Sequence, residues 1–99
     1  MVTLINAFEV TQAGKEEEFI QLWNETADLM RKESGFIDTK LHRSLDPKAR
    51  FQFVNIAHWE SPETWQQAIA ANPGLQDWWG KIAVIAEANP ALYTVAVQY

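Results

Sequence analysis

The stretch FIDTKLHRSLDPKARFQFVNIAHWESPET, residues 36–64, decides how this chain folds. Two apolar-rich runs, Phe36 to Leu45 and Arg50 to Glu60, flank Asp46-Pro47-Lys48-Ala49. That tetrapeptide is a turn sequence, and its proline suits the second turn position because the ring presets φ. The pair predicts an antiparallel hairpin. With Asp46 to Ala49 as the loop, Leu45 opposes Arg50, Leu41 opposes Val54 and Thr39 opposes Ile56. The same register sets His42 against Phe53, Lys40 against Asn55 and Phe36 against Trp59. A helix signal then follows at once. Ser61 can cap it, Pro62 fits the first helical position where no N–H is needed, and Glu63 adds early negative charge.

Upstream of the hairpin, Val2 to Val10 reads as a strand, with Val2, Leu4, Phe8 and Val10 alternating against Thr3 and Glu9. Ile5 and Ala7 make its other face apolar too. Lys15 to Glu33 predicts a helix, since Phe19, Leu22, Trp23, Thr26, Leu29 and Met30 recur at spacings of three and four. Acidic Glu16 and Glu17 open it, basic Arg31 and Lys32 close it, and Ser34-Gly35 supplies a glycine stop. Downstream, Trp65, Ala68 and Ile69 stripe the second helix until Asn72-Pro73-Gly74 interrupts it. A further helical segment carries Leu75, Trp78, Trp79, Ile82 and Ala83, and Asn89-Pro90 reads as its end. Ala91 to Tyr99 is the predicted last strand. The order β-α-β-β-α-β over residues 1–99 predicts one α+β domain, a ferredoxin-like sandwich with helices on one face of a four-stranded antiparallel sheet.

A sheet covered on one side should show polar residues on the other. Neither face of the first strand or of the hairpin does so, and exposed apolar sheet of that extent marks an interface. The expected partner is a second copy of the chain, giving a homodimer. Five Trp among 99 residues add to this; an indole buries a large surface yet needs a partner for its N–H, so either an interface or an aromatic-lined pocket accounts for them.

The net charge of −5, with basic residues scattered, argues against a nucleic-acid or anionic-membrane surface. No cysteine is present, so thiolate catalysis and disulfides drop out. The N-terminus lacks the basic segment of a signal peptide, and no run approaches the roughly 20 apolar residues of a membrane span. The expectation is a soluble, cytoplasmic protein. No phosphate-binding glycine loop, Ser/His/Asp signature or metal-ligand spacing occurs, so neither a metal nor a cofactor is expected.

Leu41-His42-Arg43-Ser44-Leu45-Asp46, the run from Arg50 to Ser61, the Glu-Glu-Phe of the first helix and Ser34-Gly35-Phe36 together resemble the antibiotic-biosynthesis-monooxygenase-like domain, one of the dimeric α/β barrels. The resemblance covers nearly the whole chain and implies the fold and side-by-side dimerisation. One activity known in the family oxidises polycyclic phenols to quinones with molecular oxygen and no cofactor. Its enzymes carry an Asn and a Trp four residues apart on the third strand and a Tyr six residues later. Asn55 and Trp59 match; the third position is Trp65, which can stack but has no phenolic proton. The other activity is haem breakdown, which uses a first-strand Asn, a helical Trp and a helical His. Asn6 matches the first, but the others fall at Ala68 and near Trp78 or Trp79, so haem degradation is disfavoured.

The resemblance and the residues together nominate Asn55, Trp59, Asn6 and His42 as catalytic, and Trp65, Trp23, Phe53, Trp78 and Trp79 as contacts for a hydrophobic aromatic small molecule. Each has a second reading. Asn55 and Asn6 can be structural amides bonded to backbone, and Trp59 and the other aromatics can be core. His42 and His58 are predicted to point to opposite faces, with His42 sharing the face of Asn55 and so placed to accept a phenol proton. The expected function is a cofactor-independent monooxygenase acting on a phenolic, polycyclic aromatic compound. The alternative is a non-catalytic binding or dimerisation protein of the same fold.

Overall fold

The computed structural model describes residues 1–99. The elements are β1 (Val2–Val10), α1 (Glu16–Met30), β2 (Phe36–Arg43), β3 (Phe53–Trp59), α2 (Pro62–Ala71), α3 (Pro73–Ile85) and β4 (Ala86–Tyr93). The four strands form one antiparallel sheet in the order β2-β3-β1-β4. The helices lie on one face of it, as the sequence predicts. Overall extents of 39 × 35 × 17 Å describe a two-layer slab, so the second face of the sheet is bare within one chain.

Strand alternation decides which side chains meet the helices. On β1 these are Leu4, Asn6 and Phe8, all buried, and their direct partners on β3 are Ala57, Asn55 and Phe53. Two apolar clusters result. One gathers Phe8, Phe19, Phe53, Trp78, Ile82 and Ile85, with Phe19 stacked on Phe53 at 4.6 Å. The other gathers Leu4, Met30, Ala57, Trp59, Ala68 and Leu75. Along the strands, the paired amides Asn6 and Asn55 stand between them.

Helix ends follow local chemistry. Ser61 caps α2 in a reciprocal capping box with Thr64. Asn72 caps α3, its Oδ1 accepting from Gly74 and Leu75 N–H while its Nδ2 reaches Glu33. The turn after α1 depends on Gly35, whose φ is +88°. A Cβ there would collide with the Thr64 side chain, so the turn packs directly on the capping box. Gly35→Ala therefore meets both a left-handed backbone and an overpacked contact. We expect it to cost about 2–5 kcal/mol, combining a left-handed penalty of about 1–2 with overpacking of about 1–3. A denaturation midpoint unchanged within error would refute this.

Three expectations are corrected. The hairpin register holds at Phe36↔Trp59 and then slips by one, because Ile37 bulges out of β2. Beyond the bulge Leu41 faces Asn55, His42 faces Val54 and Arg43 faces Phe53. A one-residue slip sends each affected side chain to the other face. The strands also stop earlier than predicted. Ala49 N–H does bond Asp46 O, closing the expected turn, but that turn sits inside a longer loop gathered around the Gln52 amide, which donates to Asp46, Pro47 and Ala49 carbonyls.

At the other end, the last helix finishes at Ile85 and Asn89-Pro90 lies within β4. Proline is tolerated there because β4 is an edge strand. Residues 94–99 continue the apolar alternation without pairing, and Val95, Val97 and Tyr99 are exposed.

Candidate functional site

Between the sheet and the helices lies a narrow cavity with free room of about 20 Å³. Its floor is Leu4, Asn6 and Phe8 of β1 with Asn55 of β3. Its walls are Trp23, Thr26 and Met30 of α1, Trp65 and Ile69 of α2, and Leu75, Trp78 and Trp79 of α3. Four of the five tryptophans thus face one space. The walls stand close, with free room for little more than a water-sized sphere, so a ring system requires aromatic side chains to swing outward. Trp23, Trp65 and Trp79 are only partly buried and can do so. Trp78 is held more firmly, its Nε1–H donating to Leu22 O at 2.5 Å.

The two amides at the floor are built in from the sheet. Asn6 is 4% exposed and Asn55 5%, and they are direct cross-strand partners. Asn6 Oδ1 accepts from the Asn89 backbone N–H at 3.0 Å. Asn55 Oδ1 accepts from the Thr39 hydroxyl at 2.6 Å. Each amide is therefore tied through its oxygen, in keeping with the rule that buried polar groups find partners. Thr39 escaped the sequence reading because the unslipped register set it opposite Ile56.

The other nominated residues divide. Trp23, Trp65, Trp78 and Trp79 line the cavity. Trp59 shares the helix-facing side with Asn55 but does not line the cavity. It is fully buried in the second cluster, edge-on to Phe36 at 5.5 Å. Phe53 is buried in the first cluster and borders a separate surface depression with Ile20, Leu41 and Arg43. His42 is a correction: its partner is Val54, so it lies on the bare face and away from Asn55. His58 is on that same face, 2.6 Å from Asp38, so the two histidines do not point apart as predicted.

Electrostatically the cavity is simple. None of its lining residues is Asp, Glu, His, Lys, Arg or Tyr. The indole N–H groups of Trp59 and Trp65 are sealed without a protein acceptor. No group of three His, Cys, Asp or Glu side chains converges as metal ligands. A haem does not fit these residues either, because both histidines are across the sheet from the cavity and the position of the expected helical Trp is the buried Ala68.

A four-stranded ferredoxin-like sheet roofed by helices on one face places the chain among the α+β proteins of the antibiotic-biosynthesis-monooxygenase fold. The antibiotic biosynthesis monooxygenase family matches residues 1–77, and the chain belongs to it. A candidate monooxygenase from Shewanella loihica PV-4 is 36% identical over 98% of this chain and 95% of its own, with a TM-score of 0.80. SnoaB from Streptomyces nogalater, a cofactor-independent oxygenase, is 26% identical over 98% and 94%, with a TM-score of 0.82. A candidate antibiotic biosynthesis monooxygenase from Deinococcus radiodurans, at 17% identity over 100% and 96%, shares the fold with a TM-score of 0.80. No curated protein matches the chain. No helix is long and apolar enough to cross a membrane.

Proposed function

We propose that the protein is a cofactor-independent monooxygenase for a flat, hydrophobic phenol, with the helix–sheet cavity as its site. The observation that carries this reading is the pairing of two buried amides, Asn6 and Asn55, at the floor of an otherwise apolar space walled by four tryptophans. The likeness to SnoaB supports it. Trp23, Trp65 and Trp79 stack and enclose the ring, which excludes water. The amides hold its oxygen substituent and stabilise the anion. The anion is electron-rich enough for a ring carbon to bond dioxygen, the co-substrate, and the peroxide is protonated. Loss of water from that hydroperoxide leaves a carbonyl, one oxygen atom entering the product and the other leaving as water. His42 has no part in this, being on the far side of the sheet.

A second copy of the chain covers the bare face in this proposal. Ile5, Ala7, Val54, Ile56 and Ala91 form its apolar centre by strand alternation. Lys40 and His42 lie on the β2 side of that centre, and Glu9 with Glu87 on the β1 and β4 side.

The test is oxygen consumption with a panel of polycyclic phenols, alongside quenching of intrinsic Trp fluorescence. Saturable quenching with oxygen uptake is the expected result. Asn55→Ala, once shown to be folded, should weaken hydroxylated ligands by up to about tenfold relative to their hydroxyl-free analogues, the worth of one hydrogen bond. Quenching without oxygen uptake across the panel would favour the non-catalytic binding alternative. Equal weakening of both ligand types would assign Asn55 to structure.

A further inference from the structure

We infer that the cavity floor offers hydrogen-bond donors only, so that it takes its ligand as an oxyanion formed in solution, and that Thr39 is the positioning residue that makes it so. The inference rests on the reading of the cavity as a phenol site.

The orientation of Asn6 is settled by chemistry. A backbone N–H can only donate, so the atom facing Asn89 N must be Oδ1, which leaves Nδ2 on the other branch. Asn55 is tied by the Thr39 hydroxyl, whose proton goes to Oδ1. Neither Nδ2 has a protein acceptor. The sealed unpartnered side-chain atoms are the Trp59 and Trp65 Nε1, so both amide nitrogens stand open to the cavity they line. Directly opposed strand residues have Cβ atoms about 4.5–5.5 Å apart, so one ligand oxygen can take an N–H from each amide.

A neutral phenol at this floor meets two donors and finds no acceptor beside them for its own proton. The one wall hydroxyl, Thr26, gives its proton to Leu22 O and so offers an acceptor, but from α1 rather than from the floor amides that hold the ligand oxygen. With no titratable side chain lining the cavity, no group there can remove the phenol proton after binding. A phenolate avoids both problems, and charge-assisted hydrogen bonds are stronger than neutral ones. Thr39 controls the outcome. Without its hydroxyl the Asn55 amide is free to turn, and its oxygen facing the cavity would accept a phenol proton instead.

The probe is 4-nitrophenol, which ionises near neutrality and changes visible absorbance as it does. Bound to the protein, it should ionise at lower pH than free, with the phenolate held on the order of tenfold or more tighter than the phenol. Thr39→Val, which keeps the β-branched shape, should reduce that preference by about threefold or more, and Thr39→Ser should retain it. Binding with unshifted ionisation would overturn the donor-only floor while leaving the phenol pocket standing. A preference unchanged in Thr39→Val, even with reduced stability, would overturn the role of Thr39. Failure of both forms to bind at millimolar concentration would overturn the pocket reading and this inference together.

Discussion

A variant carrying Asp in place of Ile56 is expected to sediment as a single chain at tens of micromolar, where the proposed self-association predicts a dimer for the unmodified protein. Ile56 sits near the middle of the bare face, opposite Ile5 on β1 and Lys40 on β2. Because it points away from the helices, the substitution leaves both core clusters intact and the chain should remain folded. In a two-fold dimer each copy contributes the same patch, so one substitution buries two carboxylates. Each buried carboxylate costs several kcal/mol, which Lys40 across the strand pair offsets only in part, and about 4 kcal/mol already weakens association roughly a thousandfold. Circular dichroism unchanged from the parent, with halved mass by sedimentation equilibrium, is the expected pair of results. A parent protein that is itself monomeric at tens of micromolar would remove the self-association proposal altogether. A variant that stays dimeric would move the interface elsewhere, with the exposed tail residues Val95, Val97 and Tyr99 the next surface to probe.

The two-layer architecture was legible because hydrophobic period changes from about 3.6 to two at Ser34-Gly35 and from two to about 3.6 at Ser61-Pro62, where glycine and capping residues mark each boundary. The register of β2 was not. Ile37 reads as an ordinary strand residue, and whether it pairs or bulges depends on how Gly35 packs against Thr64 and on Glu60 N–H reaching Gly35 O. Those are contacts between distant parts of the chain that no local pattern records. The consequence fell on the site. The slip set Leu41 rather than Lys40 opposite Asn55, moved His42 to the bare face and hid Thr39, so the sequence offered a base where the fold supplies a hydroxyl that orients an amide. Pro90 misled in a similar way, since proline ends helices in general but is also accepted on a sheet edge. Asn6 entered through the family resemblance, Asn55 also as a polar residue in an apolar strand, and the tryptophans because excess indole requires an explanation at the level of sequence.

Asn6→Asp should abolish phenolate binding while leaving the strand contact it makes intact. One carboxylate oxygen can still accept from Asn89 N–H, so the tie between β1 and β4 survives. The other oxygen replaces the cavity-facing N–H donor and, when ionised, places negative charge where the ligand anion would sit. The swap removes one charge-assisted hydrogen bond, worth roughly 1.5–3 kcal/mol, and adds repulsion between like charges in a space shielded from water. The sum predicts a loss of at least about a hundredfold in phenolate affinity, equivalent to about 2.7 kcal/mol. A hydroxyl-free analogue such as naphthalene uses no amide and should lose far less. Burial disfavours the charged form of an aspartate, so its folded pKa is expected to rise above the unfolded value. The linkage then has a fixed sign. The variant approaches parental stability at acid pH, where the carboxyl is neutral in both states, and loses stability as pH rises through the carboxylate range. Phenolate affinity in Asn6→Asp within a few-fold of the parent at pH 8, with the fold intact, would place the ligand oxygen away from Asn6 and leave Asn55 as its sole amide partner.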